Sequence, residues 1–290
     1  MIIIVALSGC LDKDNASSPD TLDIKGSDTL VQLVSNMAEA YMLDHPSAEI
    51  SVTGGGSGTG IASLINNEVD IADSSRAIRG HEIESTASKG VEVWEFVIAR
   101  DGLTIIVNPS NPLDRLTLDE VGAIYRGEIT NWEEVGGEDR EITLYGRQST
   151  SGTYEFVRDS LLKADYSPKM LNMEGNKAIV DGVKNDLSGI GYIGIGYLTD
   201  EIKTLNLAED EESRYVSPLD EGVIEDGTYP LTRPLYQYTN GMPGVDTLTY
   251  GFLRFELSEE GEDIIKNAGY YPPNQADKTN NNEKFEMIGG

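Results

Sequence analysis

The chain is short of the residues that much of enzyme chemistry depends on. One cysteine, Cys10, stands in 290 residues, which excludes an internal disulfide and any cysteine-based zinc or iron–sulfur site. The two histidines, His45 and His81, cannot build a histidine-rich metal site. His45 lies in Asp44-His45-Pro46, where a helical stretch runs into a turn, and His81 follows Arg79-Gly80. Neither position suits the base of a Ser-His-Asp triad. No run of about 20 apolar residues occurs, so nothing reads as a membrane-spanning helix. Basic residues are the other shortage: 22 Lys+Arg face 50 Asp+Glu, a formal net charge of −28. A surface this acidic does not seek nucleic acid, whose binding rests on neutralising phosphates. Its self-repulsion suits a salty medium, in which charges are screened over roughly 10 Å.

What remains is an ordinary globular composition, 39% hydrophobic and 25% charged, long enough for two domains. Met1 to Leu7 is apolar and leads into Leu7-Ser8-Gly9-Cys10, followed by a polar stretch with Ser17-Ser18-Pro19. This order resembles a lipoprotein signal ending in a lipobox. It implies a lipidated Cys10, a flexible stalk over residues 11–20 and a protein tethered outside the cytoplasmic membrane.

From Asp20 onward, short β-like runs alternate with helical stretches. Leu22-Asp23-Ile24 ends at Gly26-Ser27-Asp28-Thr29, after which Leu30, Leu33, Val34, Met37, Ala38 and Tyr41 repeat at helical spacing. Glu49–Thr53 leads into the glycine-rich Gly54–Gly60 and another helix, and Val69–Ala72 leads into Asp73-Ser74-Ser75-Arg76. The same strand, small polar loop and helix thus recur three times in the first 90 residues, the grammar of an α/β fold. Val91–Ala99 and Leu103–Val107 read as strands separated by Arg100-Asp101-Gly102. Ile142–Tyr145 runs into Gly146-Arg147-Gln148-Ser149-Thr150-Ser151-Gly152-Thr153, and Gly189–Ile193 and Leu235–Tyr238 are further strands. Residues 276–290 form a polar, Asn-rich tail that reads as disordered.

An oxyanion needs hydrogen-bond donors, and a helix N-terminus presents unpaired N–H groups at the positive end of its dipole. Four loops here fit that use: Ser27–Leu30, Gly56–Thr59, Ser74–Arg76 and Ser151–Thr153. Singly, each reads first as plain capping. The glycine run is not a dinucleotide fingerprint, since Thr59 stands where its third glycine is needed. It is not a P-loop either, because no Gly-Lys-Ser/Thr follows, and not a nucleophile elbow, because Thr59 ends the motif around Ser57.

Taken in order, these four loops resemble the phosphate-binding subunits of phosphate ABC importers, as do Gly127-Glu128-Ile129-Thr130-Asn131-Trp132 and Gly189-Ile190-Gly191-Tyr192. The resemblance covers roughly residues 22–273. It implies an α/β, two-lobed type II periplasmic-binding-protein fold, each lobe a mixed sheet flanked by helices, with two crossover strands joining the lobes near Arg100 and Leu235. Residues 21–100 and 236–275 would then form the first lobe and 101–235 the second, after a signal and linker over 1–20. It further implies that Ser27, Thr29, Leu30, Ser57, Ser75, Arg76, Arg147, Ser151, Gly152 and Thr153 hold inorganic phosphate. Thr29 would give its hydroxyl, Leu30 its backbone N–H and Arg147 the charged contact. The expected partners are phosphate and a membrane permease. A monomer is expected, with no cofactor and no turnover.

Two positions depart from that pattern. Ser75 occupies the place where well-known members carry an aspartate that accepts the ligand's proton and rejects sulfate. Ser149 occupies the place, two after the arginine, of an acidic residue that steadies it. Asp73 and Asp101 are the nearby carboxylates left to replace the first. Sulfate, molybdate or tungstate binding, a sensing role, and a phosphoester hydrolase using Ser57 or Ser151 are the competing readings.

Overall fold

The structure, a computed structural model, describes residues 20–220 and 222–287. The apolar N-terminus, Cys10 and nearly all of the stalk lie outside the described residues.

The chain opens with three strand–helix units. β1 (Asp20–Gly26) precedes α1 (Val31–Asp44), β2 (Ala48–Thr53) precedes α2 (Ser57–Ile65), and β3 (Ile71–Ser74) precedes α3 (Gly80–Lys89). β1 pairs in parallel with both β2 and β3. The spacing that predicts α1 is also what buries it: Leu33, Val34, Met37, Ala38 and Tyr41 form its inward face.

A long strand, β4 (Val93–Val107), then carries the chain out of this first unit. β5 (Arg115–Thr117) and α4 (Leu118–Arg126) follow, then a 3-10 turn at Trp132–Val135 and β6 (Thr143–Arg147). α5 (Gly152–Phe156) runs into one π-helical stretch, Val157–Leu162, before β7 (Leu171–Met173), α6 (Gly175–Lys184) and β8 (Gly189–Gly194). Two short strands, β9 (Lys203–Thr204) and β10 (Asn206–Ala208), precede the returning strand β11 (Thr232–Asn240). α7 (Leu248–Glu256), α8 (Glu259–Asn267) and α9 (Gln275–Glu286) complete the order.

The main sheet runs β2-β1-β3-β11-β4-β8-β6-β7, and β5 pairs with β10 apart from it. β4 belongs to both ends of this sheet. From Val93 to Gly102 it pairs antiparallel with β11, and from Leu103 to Val107 antiparallel with β8. Two lobes therefore share one continuous strand. The sequence reading breaks the strand at Arg100-Asp101-Gly102 because two charges and a glycine look like a loop. In the fold Asp101 stands directly opposite Arg233 of β11, so the charges are consumed by a cross-strand pair and the strand continues.

The C-terminal segment is also corrected: over Gln275–Glu286 it is a docked helix and not a disordered tail. Asn274 and Asp277 form its capping box. Asn281 accepts from the N–H of Val97 and donates to the C=O of the same residue, as a neighbouring strand would. Phe285, one turn later, is buried against Phe96 and Tyr250. The polar composition hides this because only two side chains of the helix, Asn281 and Phe285, are buried. Together they cover an edge of β4 that would otherwise offer free backbone groups. Replacing Phe285 by alanine is expected to cost about 3 kcal/mol of stability, read as a lower urea midpoint; a change below about 1 kcal/mol would refute the docking.

Candidate anion-binding site

The small polar loops at the ends of β1, β2, β3 and β6 meet at the junction of the two lobes. Thr29 Oγ1 lies 3.1 Å from Thr153 Oγ1 across the cleft. Ser57 Oγ accepts the N–H of Ser75 at 3.1 Å and lies 3.4 Å from Ser75 Oγ. The approach of the α5 start is equally close: a Cβ on Gly152 would fall 2.2 Å from Ser57 Oγ and 2.8 Å from Ser75 Oγ. Only glycine fits there. Gly56, at φ +91, lets the second loop turn under Thr150, whose carbonyl accepts the Gly58 N–H at 3.2 Å. Thr29, Ser57, Ser75, Gly152 and Thr153 therefore converge, all buried. Gly152 and Thr153 open α5, so their N–H groups have no acceptor within the helix. Ser151 caps it, its hydroxyl accepting from Tyr154 N.

Arg147 ends β6 and is 1% exposed. The Gly-Tyr signature explains part of its placement: the Tyr192 hydroxyl accepts the Arg147 backbone N–H at 2.9 Å, and the Tyr166 hydroxyl donates to Tyr192 in turn. Trp132, of the other signature, donates its indole N–H to Ser188 O at the start of β8. The Arg147 guanidinium pairs through Nη2 with Asp28 of the first lobe, while Nε and Nη1 have no partner among the described residues. Burial pulls its pKa down, Asp28 and Tyr192 pull it back up, and the charge of Arg233 lowers it further. Two buried arginines thus stand within reach of each other's field.

Arg233, on β11, is the residue that the sequence reading missed altogether. Its Nε and Nη2 donate to Asp101 Oδ2 at 3.0 and 2.8 Å, Nη1 donates to Ser75 O, and Nη2 also donates to Thr153 Oγ1 at 3.0 Å. Asp101 Oδ1 accepts from Ile195 N at 3.0 Å. Asp28 was visible only as a capping type; in the fold it accepts from Gly55 N and from Arg147. It does the work that an acidic residue at position 149 would have done, from the opposite lobe. Nothing in a single sequence marks such a partner, since it lies 119 positions away.

Two expected contacts are corrected. The Leu30 N–H is bonded to Ser27 O at 2.9 Å, so it closes its own turn and is not a free donor. Arg76 does not serve the cleft: it is held by Glu82, by Glu155 and by Ala77 O. The carboxylates took it because two acids flank it on α3 and α5, where the sequence shows only a basic residue beside a serine loop. Ser27 is buried and gives its N–H to Asp73 O at 2.9 Å.

Of the two carboxylates left to replace the family's aspartate, Asp73 points elsewhere. Its Oδ1 accepts from Gln237 Nε2, which also donates to Glu256 Oε1. Burial pushes Asp73 up to about 7, against the hydrogen bond from Gln237. Burial, and then the nearby Asp73, raise Glu256 well above its usual range. These acids sit beneath the loop, and burial favours their protonated forms. Among the described residues no group of His, Cys, Asp and Glu is arranged to hold a metal ion, and no helix is long and apolar enough to cross a membrane. A cavity of about 1130 Å3 lined by Asp114, Arg115, Glu120 and Tyr215 lies on the second lobe, apart from these loops.

Similar proteins carry the same architecture. Residues 13–260 match a PBP superfamily domain. The phosphate-binding protein PstS of Pseudomonas aeruginosa is 33% identical over 263 residues, covering 85% of this chain and 81% of that one. The Staphylococcus aureus PstS is 32% identical over 252 residues, covering 84% and 76%. Among solved structures, a putative phosphate ABC transporter substrate-binding protein with bound phosphate from Clostridium perfringens superposes with a TM-score of 0.79 at 26% identity, over 88% of this chain and 100% of that one. An ABC-type phosphate transport receptor from Vibrio cholerae gives 0.70 at 30% identity, over 87% and 100%.

The buried acids give a testable pH dependence. Unfolded, Asp73 titrates near about 4; folded, it does so near about 7. Between these values the folded chain keeps a proton that the unfolded chain has released, so stability is full below the window and falls as pH rises through it. Urea midpoints measured from pH 4.5 to 7.5 are expected to show this fall in the wild type and a flatter course in Asp73→Asn. Parallel curves for the two proteins would rule the assignment out.

Proposed function

The chain belongs to the PBP superfamily and, within it, to the PstS-type phosphate-binding proteins, and from that premise we propose that it captures inorganic phosphate outside the cytoplasmic membrane and delivers it to the permease of an ABC importer. One observation carries this reading: a buried arginine, Arg147, has Nε and Nη1 unpaired among the described residues while Nη2 holds Asp28, the chain neighbour of Thr29, whose hydroxyl meets Thr153 at the start of α5 beside Ser57 and Ser75. A buried guanidinium with unpaired N–H groups supplies charge-assisted donors that suit a tetrahedral oxyanion. Micromolar binding needs about 8 kcal/mol, and charge-assisted hydrogen bonds contribute roughly 1.5–3 kcal/mol each, so a handful is enough.

The protein acts by stoichiometric capture and not by turnover, as a monomer tethered through Cys10. The arrangement gives Ser57 no base: its hydroxyl neighbours are Ser75 and the N–H of the same residue. The role of proton acceptor falls to Asp101. It is fully buried between Arg233 and Ile195, and three donors leave one lone-pair position of the carboxylate for a ligand P–OH. A sulfate ion has no proton to offer it. Ser75 then contributes a hydroxyl and leaves selectivity to Asp101.

Calorimetry tests both points. Phosphate is expected to bind one to one at micromolar protein; no heat would sink the phosphate reading. Arg147→Ala should weaken binding by more than about 100-fold, and by clearly more than Arg76→Ala, which breaks a buried pair across the cleft but removes no cleft donor. In a competition titration phosphate should displace sulfate, and equal affinities for the two would dismiss Asp101 as the discriminating acceptor.

A further inference from the structure

Six buried side-chain atoms among the described residues have no hydrogen-bond partner: Arg147 Nε and Nη1, Asn176 Nδ2, Asp73 Oδ2, Gln237 Oε1 and Glu256 Oε2. They divide by chemistry and by place. The three oxygens belong to the acid cluster on β3, β11 and α7, where retained protons can serve them. The three nitrogens all belong to the second lobe. Two of them are the anion-seeking donors of Arg147, and the third has no role in the site as described so far.

Buried N–H groups are almost always paired, and an orphan keeps the full cost of leaving water. Asn176 is 1% exposed and stands second in α6, a helix of 10 residues. Its orientation is fixed by its oxygen, which accepts the Gly194 N–H at 3.4 Å; the amide nitrogen must therefore face the other way. Gly194 is itself at the site. A Cβ there would fall 3.0 Å from the Thr29 methyl and 3.1 Å from Asp101 Oδ1. Asn176 also lines a cavity of about 290 Å3 at the cleft, together with Asp28, Gly54, Lys177 and Tyr197. The same Asp28 holds Arg147, and the Tyr197 hydroxyl donates to its carbonyl at 2.7 Å. The start of α6 adds its own unpaired N–H groups and positive dipole end.

We propose that Asn176 is a further ligand-binding residue, its Nδ2 donating to the oxyanion that Arg147 holds, so that the second lobe grips the ion from α6 as well as from α5. The inference rests on the phosphate reading of this cleft. It gives the orphan amide the same partner as the orphan guanidinium nitrogens, and it explains why an amide stands there: an oxygen for Gly194 and a donor for the ligand.

The test is calorimetry with inorganic phosphate on the full chain, with melting temperatures of the ligand-free proteins alongside. Asn176→Asp keeps an oxygen for Gly194 and suits a helix start, but replaces the donor with a like charge. It is expected to bind phosphate at least about 100-fold more weakly than the wild type, and Asn176→Ala about tenfold more weakly, with ligand-free melting points close to wild type. If the wild type binds phosphate and both variants bind it within about twofold, Asn176 is not a ligand residue, and the phosphate reading stands without it. If Asn176→Ala lowers the melting point but leaves affinity intact, the amide serves a structural role and the proposal fails. A wild type that gives no heat with phosphate removes the reading itself and this inference with it.

Discussion

Everything at the junction of the lobes hangs on the ion pair between Asp101 and Arg233. The two residues face each other across β4 and β11, 0% and 2% exposed. Taking two charges out of water costs several kcal/mol per ion, and only good geometry with every remaining donor and acceptor engaged offsets it. Site residues meet most of that condition and leave one lone pair of Asp101 open. Asp101 takes the Ile195 N–H, and Arg233 gives its other hydrogens to Ser75 O in one lobe and Thr153 Oγ1 in the other. The pair thus does more than join two strands. It sets the position of a loop from each lobe relative to the strands that connect them.

Arg147 follows the same logic with a longer reach. Its carboxylate comes from the opposite lobe, so the arginine is fully compensated only where Asp28 and β6 are together. Arg147 and Arg233 each have one buried or half-buried acid, so the two pairs add no excess positive charge to the pocket. Attraction for an anion then comes from oriented N–H and O–H groups, which act at contact distance, and not from net charge. This is why a chain of −28 is compatible with an oxyanion site. The surface field is screened beyond roughly 10 Å, and the donors inside are not.

The loops were legible in the sequence because their chemistry is local. Glycine for close approach, hydroxyls for donors and a strand before each helix are all read from neighbours in the chain, and Thr29, Ser57, Ser75, Gly152 and Thr153 do converge. What escaped was the partner of each charge. Asp28, Asp101 and Arg233 are meaningful only in pairs that the fold brings together, and Arg233 sits in a run that reads as plain strand. Arg76 was misassigned for the same reason: beside a serine loop a basic residue looks like a ligand residue, until Glu82 and Glu155 are seen to hold it. The Leu30 N–H and α9 show the other limit. A turn can use up its own donor, and a polar helix can dock through two residues.

The rim explains what Arg76 is for. With Arg79 it faces Glu155 and Asp159 across the cleft, and Glu155 lies two residues beyond Thr153 in α5. The rim therefore holds down the very helix whose first N–H groups point at the cleft, while the Gly58 N–H fastens Thr150 just before it. These contacts differ in how much water reaches them. Arg76, Glu82 and Glu155 are 7, 11 and 13% exposed, whereas Asp159 is 53% exposed. Salt weakens exposed pairs and largely spares buried ones. In a medium salty enough to suit so acidic a surface, the outer pair contributes little and the inner cluster persists. The charged residues nearest the cleft are thus the ones whose pairing is least exposed to the solvent in which the protein has to work.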